Sequence, residues 1–278
     1  MGKTSKDALR KFLTERRARI DPRKYGYTRP SKQGLRAPGL NQQQVDDITG
    51  RTPGTYQRLE SGRYSNPRAD YLRDIATLFN LNEQEWISLC LYAGIGDPPS
   101  PLALSSGKEV PAVWQEAIDG QTHPAYVTDA SWELVAHNEA FARLFPDRQV
   151  PRNTMRWMLL EPAGRTMLTD WDTAWAPLVL PQLRAGLAAR PDDPVLRQLE
   201  REVLADPDCA AIWDGAVGHI HPDGDERPLL HAEDGPGWVT MCASEPMAAP
   251  GARHITLIFH AGEKRAHART PVLRAATT

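Results

Sequence analysis

Side chains able to do chemistry fall into three groups in this 278-residue chain. His219 and His221 would share one face of a strand, as metal ligands require, with His231, His254, His260, Cys209 and Cys242 elsewhere in the same half. No cysteine or carboxylate stands at a ligand spacing from that pair, so no metal is expected. A G-x-S-x-G elbow, a Walker loop, an H-E-x-x-H helix and a strand-borne G-x-G-x-x-G are all missing, which argues against an enzyme and against a cofactor. The second group is Gln42, Gln43, Arg51, Thr52, Thr55, Gln57, Arg58 and Arg63, with Gly54 among them. Amides, hydroxyls and guanidiniums of this kind hydrogen-bond to base edges and phosphates. The third group is large and apolar: Trp132, Phe141, Phe145, Trp157, Met158, Trp171, Trp175, Met241 and Phe259. Such residues line pockets or fill cores, and Arg156 and Arg184 are candidates to meet a carboxylate through a planar fork.

The elements that must position the second group are two short helices. Asn41 can cap residues 42–49, where Val45 and Ile48 fall on one face, and Gly50 allows that helix to end. Thr52 is a candidate N-cap, with Pro53 at the first helical position of a second helix. Tyr56 and Leu59 should pack on Val45 and Ile48, turning Gly54, Thr55, Gln57 and Arg58 outward. The segment resembles the Cro/C1-type (XRE) helix-turn-helix family, on the strength of Gln43, Gly50 and Leu59-Glu60-Ser61-Gly62-Arg63. The resemblance implies binding to double-stranded DNA. Arg51 departs from it, standing where a small apolar residue is usual, so the turn is either packed differently or gains a phosphate contact.

Charge supports a nucleic-acid-binding head. Residues 1–94 carry 17 Lys+Arg against 10 Asp+Glu, and the remainder 16 against 25, within a formal net charge of −2. Leu9, Phe12, Leu13 and Ile20 mark an amphipathic first helix. Pro22 ends it, and a basic and aromatic loop to Arg36 is a candidate phosphate or minor-groove arm. Tyr71, Leu72, Ile75, Leu78 and Phe79 mark a fourth helix, and Asn82 caps a fifth, with Cys90 in the core. A Pro, Gly and Ser rich stretch, 95–110, is expected to be a linker. Unpaired Cys90, Cys209 and Cys242, no signal-like start and no long apolar run suggest a cytoplasmic chain without a membrane span.

Beyond the linker, strands are expected at 124–128, 131–136, 229–233, 238–245 and 254–260. Helices are expected around Phe141, at 156–160, at 166–187 with breaks at Pro177 and Pro181, and at 194–204. This is an α+β pattern with an antiparallel sheet and a helical insert. Val127-Thr128-Asp129, the run Leu134-Val135-Ala136-His137-Asn138-Glu139-Ala140, Asp170-Trp171, Leu183-Arg184 and Asp192-Asp193-Pro194 resemble the MmyB-like ligand-binding domain, a PAS-like fold. Arg36-Ala37-Pro38-Gly39-Leu40 is similar to the approach to helix two in the same two-domain regulators. The resemblance implies a small apolar, fatty-acid-like ligand; a module that binds a partner protein is the alternative. The expected organisation is a five-helix DNA-binding domain at 1–94, the linker, a PAS-like domain at 111–262 and a disordered tail at 263–278. One recognition helix reads few base pairs, so a homodimer on a palindromic operator is expected.

Overall fold

The computed structural model describes residues 3–27, 39–215 and 223–264 and divides the chain into two units, Met1–Ala103 and Leu104–Thr278. In the first, α1 (Lys3–Ala18) and a 3-10 turn (Pro22–Tyr25) precede α2 (Gln42–Ile48), α3 (Thr55–Glu60), α4 (Ala69–Leu78) and α5 (Glu83–Ala93). Apolar residues at helical spacing converge on one core that includes Leu9, Leu13, Val45, Tyr56, Leu59, Leu72, Ile75, Trp86 and Cys90. Asn41 and Asn82 each form a reciprocal capping box, with Gln44 and Glu85 respectively. The chain after α5 stays on this unit. Trp86 Nε1 donates to the Ser100 carbonyl at 3.1 Å, and the Glu83 carboxylate accepts from Leu102 N at 2.9 Å.

The second unit contains a five-stranded antiparallel sheet in the order β2-β1-β5-β4-β3. Its strands are β1 (Ala125–Thr128), β2 (Leu134–His137), β3 (Glu226–His231), β4 (Gly235–Ser244) and β5 (Arg253–Ala261). Period-two alternation assigns two faces. Ala125, Val127 and Ala136 meet Ile118 and Trp114 of α6 (Val113–Asp119), a helix missed in the sequence. Tyr126, Leu229, Val239, Met241, Ile255 and Leu257 face the opposite way, toward α7 (Glu139–Ala142), α8 (Thr154–Leu160), α9 (Pro162–Met167) and a π-helical turn at Trp171–Trp175. Asn138 ties the edge together: its Oδ1 accepts from Ala125 N and Phe141 N at 3.0 and 2.9 Å.

A helical layer continues through α10 (Ala176–Ala189), α11 (Pro194–Ala205) and α12 (Pro207–Trp213), the last not expected. Pro177 lies in the first turn of α10, where a missing N–H costs nothing, and Pro181 does not break the helix. Burial of Val179, Leu180, Leu183 and Leu187 along α10 offsets the one hydrogen bond that Pro181 removes. The strand expected from residue 131 starts only at Leu134. Asp129 Oδ1 accepts from Ser131 N and Glu133 N at 2.7 and 2.9 Å, which folds residues 129–133 into a turn that carries Trp132 at φ 64°.

Candidate functional site

The first site is the surface of α2 and α3. Thr52 and Pro53 do not start the recognition helix: α3 begins at Thr55, and its N-cap position is Gly54 at φ 87°. The cap comes from the preceding helix. Asp46, 1% exposed, accepts from Gly54 N and Tyr56 N at 2.7 Å each, so a buried carboxylate fixes the start of α3 against α2. Below, Glu60 gathers Arg17, Thr14 and Gln42, the Gln42 amide donating at 3.2 Å. Gln42 is therefore turned to its own domain.

Gln43, Thr52, Gln57, Arg58 and Arg63 are exposed, and Gly54 is half-buried with open space beside it. Thr55, expected outward, is 6% exposed, and its hydroxyl pairs with that of Thr52 at 3.0 Å. Arg51 ion-pairs with Asp74 at 2.7 Å and covers the Tyr71 ring at 4.9 Å, so its departure from the usual small residue is a packing contact with α4. Arg36 lies outside the described residues.

The second site is a pair of adjacent cavities, its two lobes, between the sheet and helices of the second unit. The larger lobe has an empty volume of about 500 Å³, part of it open to solvent, and its walls are apolar. Tyr126, Leu229, Val239, Met241 and Leu257 supply the sheet side; Phe141, Phe145, Trp157, Met158, Met167 and Trp175 supply the helix side. The second lobe shares Tyr126, Met158, Trp175 and Met241 with the first, and adds Thr128, Trp132, Gln182, Arg227 and Arg253. Here the buried atoms Nε and Nη2 of Arg227, Nη1 of Arg253 and Oγ1 of Thr128 have no hydrogen-bond partner. Thr128 and Arg253 are direct cross-strand neighbours, whereas Arg227 enters from β3.

Aromatic faces partly compensate the two cations: Arg253 lies 3.8 Å above the Trp132 ring and Arg227 5.2 Å from that of Trp175. Burial pushes both guanidiniums down to about 10, which leaves them charged at neutral pH. It also pushes the Tyr126 phenol up to about 12, so this hydroxyl keeps its proton. An apolar lobe beside one with unmet cationic donors suits a molecule with an apolar body and an anionic head.

Residues 32–86 match a helix-turn-helix family model, and residues 110–273, more than half the chain, match the MmyB-like transcription regulator ligand binding domain. The chain belongs to that family. Its two parts make it a DNA-binding transcription regulator with a ligand-binding domain. No curated protein matches the chain.

Within the MmyB-like domain, Trp132, Phe141, Phe145, Trp157, Met158, Trp175 and Met241 line one or both lobes. Three expected lining residues do not. Trp171 donates from Nε1 to the Met158 carbonyl at 2.7 Å beneath Arg165, and Phe259 stacks on His231 at 4.9 Å. Arg184 donates to the Trp213 carbonyl at 2.9 Å, and Arg156 pairs with Glu202, so both arginines considered for a carboxylate are engaged elsewhere. The arginines that reach the cavity, Arg227 and Arg253, were missed, although Arg227-x-Leu229 and Arg253-x-Ile255-x-Leu257 put each on the apolar face of its strand. His219 and His221 lie outside the described residues, among which no group of His, Cys, Asp and Glu is arranged to hold a metal. No helix among them is long and apolar enough to cross a membrane.

Proposed function

We propose that this regulator senses a fatty-acid-like carboxylate and binds a palindromic operator as a homodimer. The acyl chain occupies the apolar lobe, and the carboxylate meets the free donors of the second lobe. Arg227 offers a complete Nε and Nη2 edge, the geometry of a bidentate carboxylate contact, while Arg253 and Thr128 offer a second pair of donors. The single observation that carries the reading is these unpartnered cationic donors in a lobe that shares Tyr126, Met158, Trp175 and Met241 with an apolar one. Charge left unpaired in a core is costly, and an anionic ligand relieves that cost. Met158, Met167 and Met241 in the wall can rearrange around chains of different length. The sheet with helices against it agrees with a PAS-like fold.

At the DNA, Gln57 and Arg58 are the exposed side chains of α3 that read bases, and Gln43 near the start of α2 holds a phosphate. Mass spectrometry of lipid extracts from the purified protein tests the ligand. Stoichiometric recovery of a carboxylate with an acyl body supports the reading. A protein that yields none and binds no acid of 8 to 18 carbons favours a partner-binding module instead.

A further inference from the structure

A slot on the second unit grips the chain as it arrives from the DNA-binding unit. Lys108 Nζ lies 2.8 Å from Asp193 Oδ2 and 3.8 Å from Asp129 Oδ2, and it also contacts the Ser131 hydroxyl. Asp193 is 2% and Asp129 5% exposed, so these are buried anions and Lys108 is the cation paired with them. Arg190, itself 7% exposed, donates from Nη1 to the Ser106 carbonyl at 2.6 Å and from Nη2 to the Pro250 carbonyl at 2.8 Å. Between them, the Gly107 carbonyl accepts from Ala130 N at 2.9 Å. Any side chain at Gly107 would collide with Pro250 and Ala130. These contacts pin residues 106–108 to the second unit within a few residues of the boundary between units, at Ala103 and Leu104.

The floor of this slot is also a wall of the cavity. The turn of residues 129–133 carries Asp129, Ala130 and Ser131 toward the segment, and Trp132 into the second lobe, where its ring supports Arg253. Gly186 leaves room for that ring, since a Cβ there would come within 2.8 Å of it. Among charged groups Arg253 feels Glu245 most, then Arg190 and Asp129, and the last two belong to the slot. We propose that the slot is the output of the cavity: a carboxylate arriving beside Arg253 tightens the slot's hold on residues 106–108. The inference rests on the carboxylate reading of the second lobe.

The sign follows from charge. With the lobe empty, Arg253 offers Asp129 a second cation and repels Arg190. A bound carboxylate offsets the charge of Arg253, so Lys108 and Arg190 hold their partners against less repulsion. Ligand and slot then favour one arrangement together, and linkage requires the effect to run both ways. Releasing the segment must weaken acid binding, although Lys108 lines neither lobe.

The test uses the delipidated full chain with sodium dodecanoate. Binding is followed by tryptophan fluorescence, and hydrogen exchange is followed at the Lys108 and Ala130 amides. Slower exchange at these amides on binding supports the proposal. Unchanged or faster exchange with the acid bound overturns it and leaves the cavity reading standing. If no acid of the 8 to 18 carbon series binds, the cavity reading fails and the proposal falls with it. In the reciprocal arm, Lys108→Gln should weaken dodecanoate about fivefold or more, the lower end of ordinary coupling, and Lys108→Arg should restore it. Equal affinity in all three proteins, each folded by circular dichroism, also overturns the proposal.

Discussion

Arg227 is a buried cation and Arg253 a half-buried one, each with guanidinium nitrogens that lack a hydrogen-bond partner, and charge left in this way costs stability. Arg227→Met should therefore leave the melting temperature of the delipidated protein unchanged or raised. It should also weaken acid binding about tenfold or more, roughly 1.4 kcal/mol. A fall in both stability and affinity would make it a structural residue instead. At the other end of the chain, Gln57→Ala should cost about 1 to 3 kcal/mol at one operator position only, whereas Gln43→Ala should weaken all sequences alike. Competition binding with single-base operator variants checks both, and equal loss on operator and random DNA would contradict the Gln57 assignment. Side chains at this scale were legible where periodicity settles direction, as for the cavity aromatics. They were not where a side chain is claimed by a partner that periodicity does not show: Thr55 by Thr52 close by, and Arg51 by Asp74, Gln42 by Glu60 and Arg184 by the Trp213 carbonyl from farther along the chain.

Among the elements, α3 depends on a residue outside itself. Asp46→Ala leaves Gly54 N and Tyr56 N without their acceptor, so the first unit should lose about 2 to 4 kcal/mol. Hydrogen exchange of the α2 and α3 amides measures it, and protection equal to wild type would remove Asp46 from this role. In the sheet, β3 and β5 hold histidines as neutral rings. Burial pushes His231 and His254 below the usual imidazole value of 6.5. His231 Nδ1 accepts from Glu233 N and Asp234 N at 3.1 Å, and a protonated nitrogen there could not. The unfolded chain binds these protons more readily than the folded one, so their contribution is full above about pH 6.5 and is lost as pH falls through the lowered folded-state values. Denaturation between pH 8 and 5 should show a decline setting in near 6.5, which His254→Gln reduces; an unaltered profile would clear His254 of this part. The caps at Asn41 and Asn82 and the period-two strands were readable because their signals are local. Helices α6 and α12 escaped notice: they are seven residues each, too short for periodicity to stand out, and their stability comes from packing on β1, β2 and α10.

For the whole molecule, the division into a helical DNA-binding unit and an α+β unit follows from the change of sequence period beyond residue 110, and it was visible without coordinates. The nature of the stretch between was not. Residues 95–102 and 106–108 make hydrogen bonds that depend on side chains far away in sequence, Glu83 and Trp86 for the one, Asp193 and Arg190 for the other. A homodimer on a palindrome predicts two protomers per operator at saturation in sedimentation, with half-sites about 34 Å apart or a multiple of that; one protomer would exclude it. The most direct measurement is operator affinity of the delipidated full chain with and without dodecanoate, on a sequence obtained by selection from random DNA. A ligand-sensing regulator predicts a change of about fivefold or more that disappears in the Arg227→Met, Arg253→Met double variant. Unchanged operator affinity, with the acid shown to be bound, would contradict it.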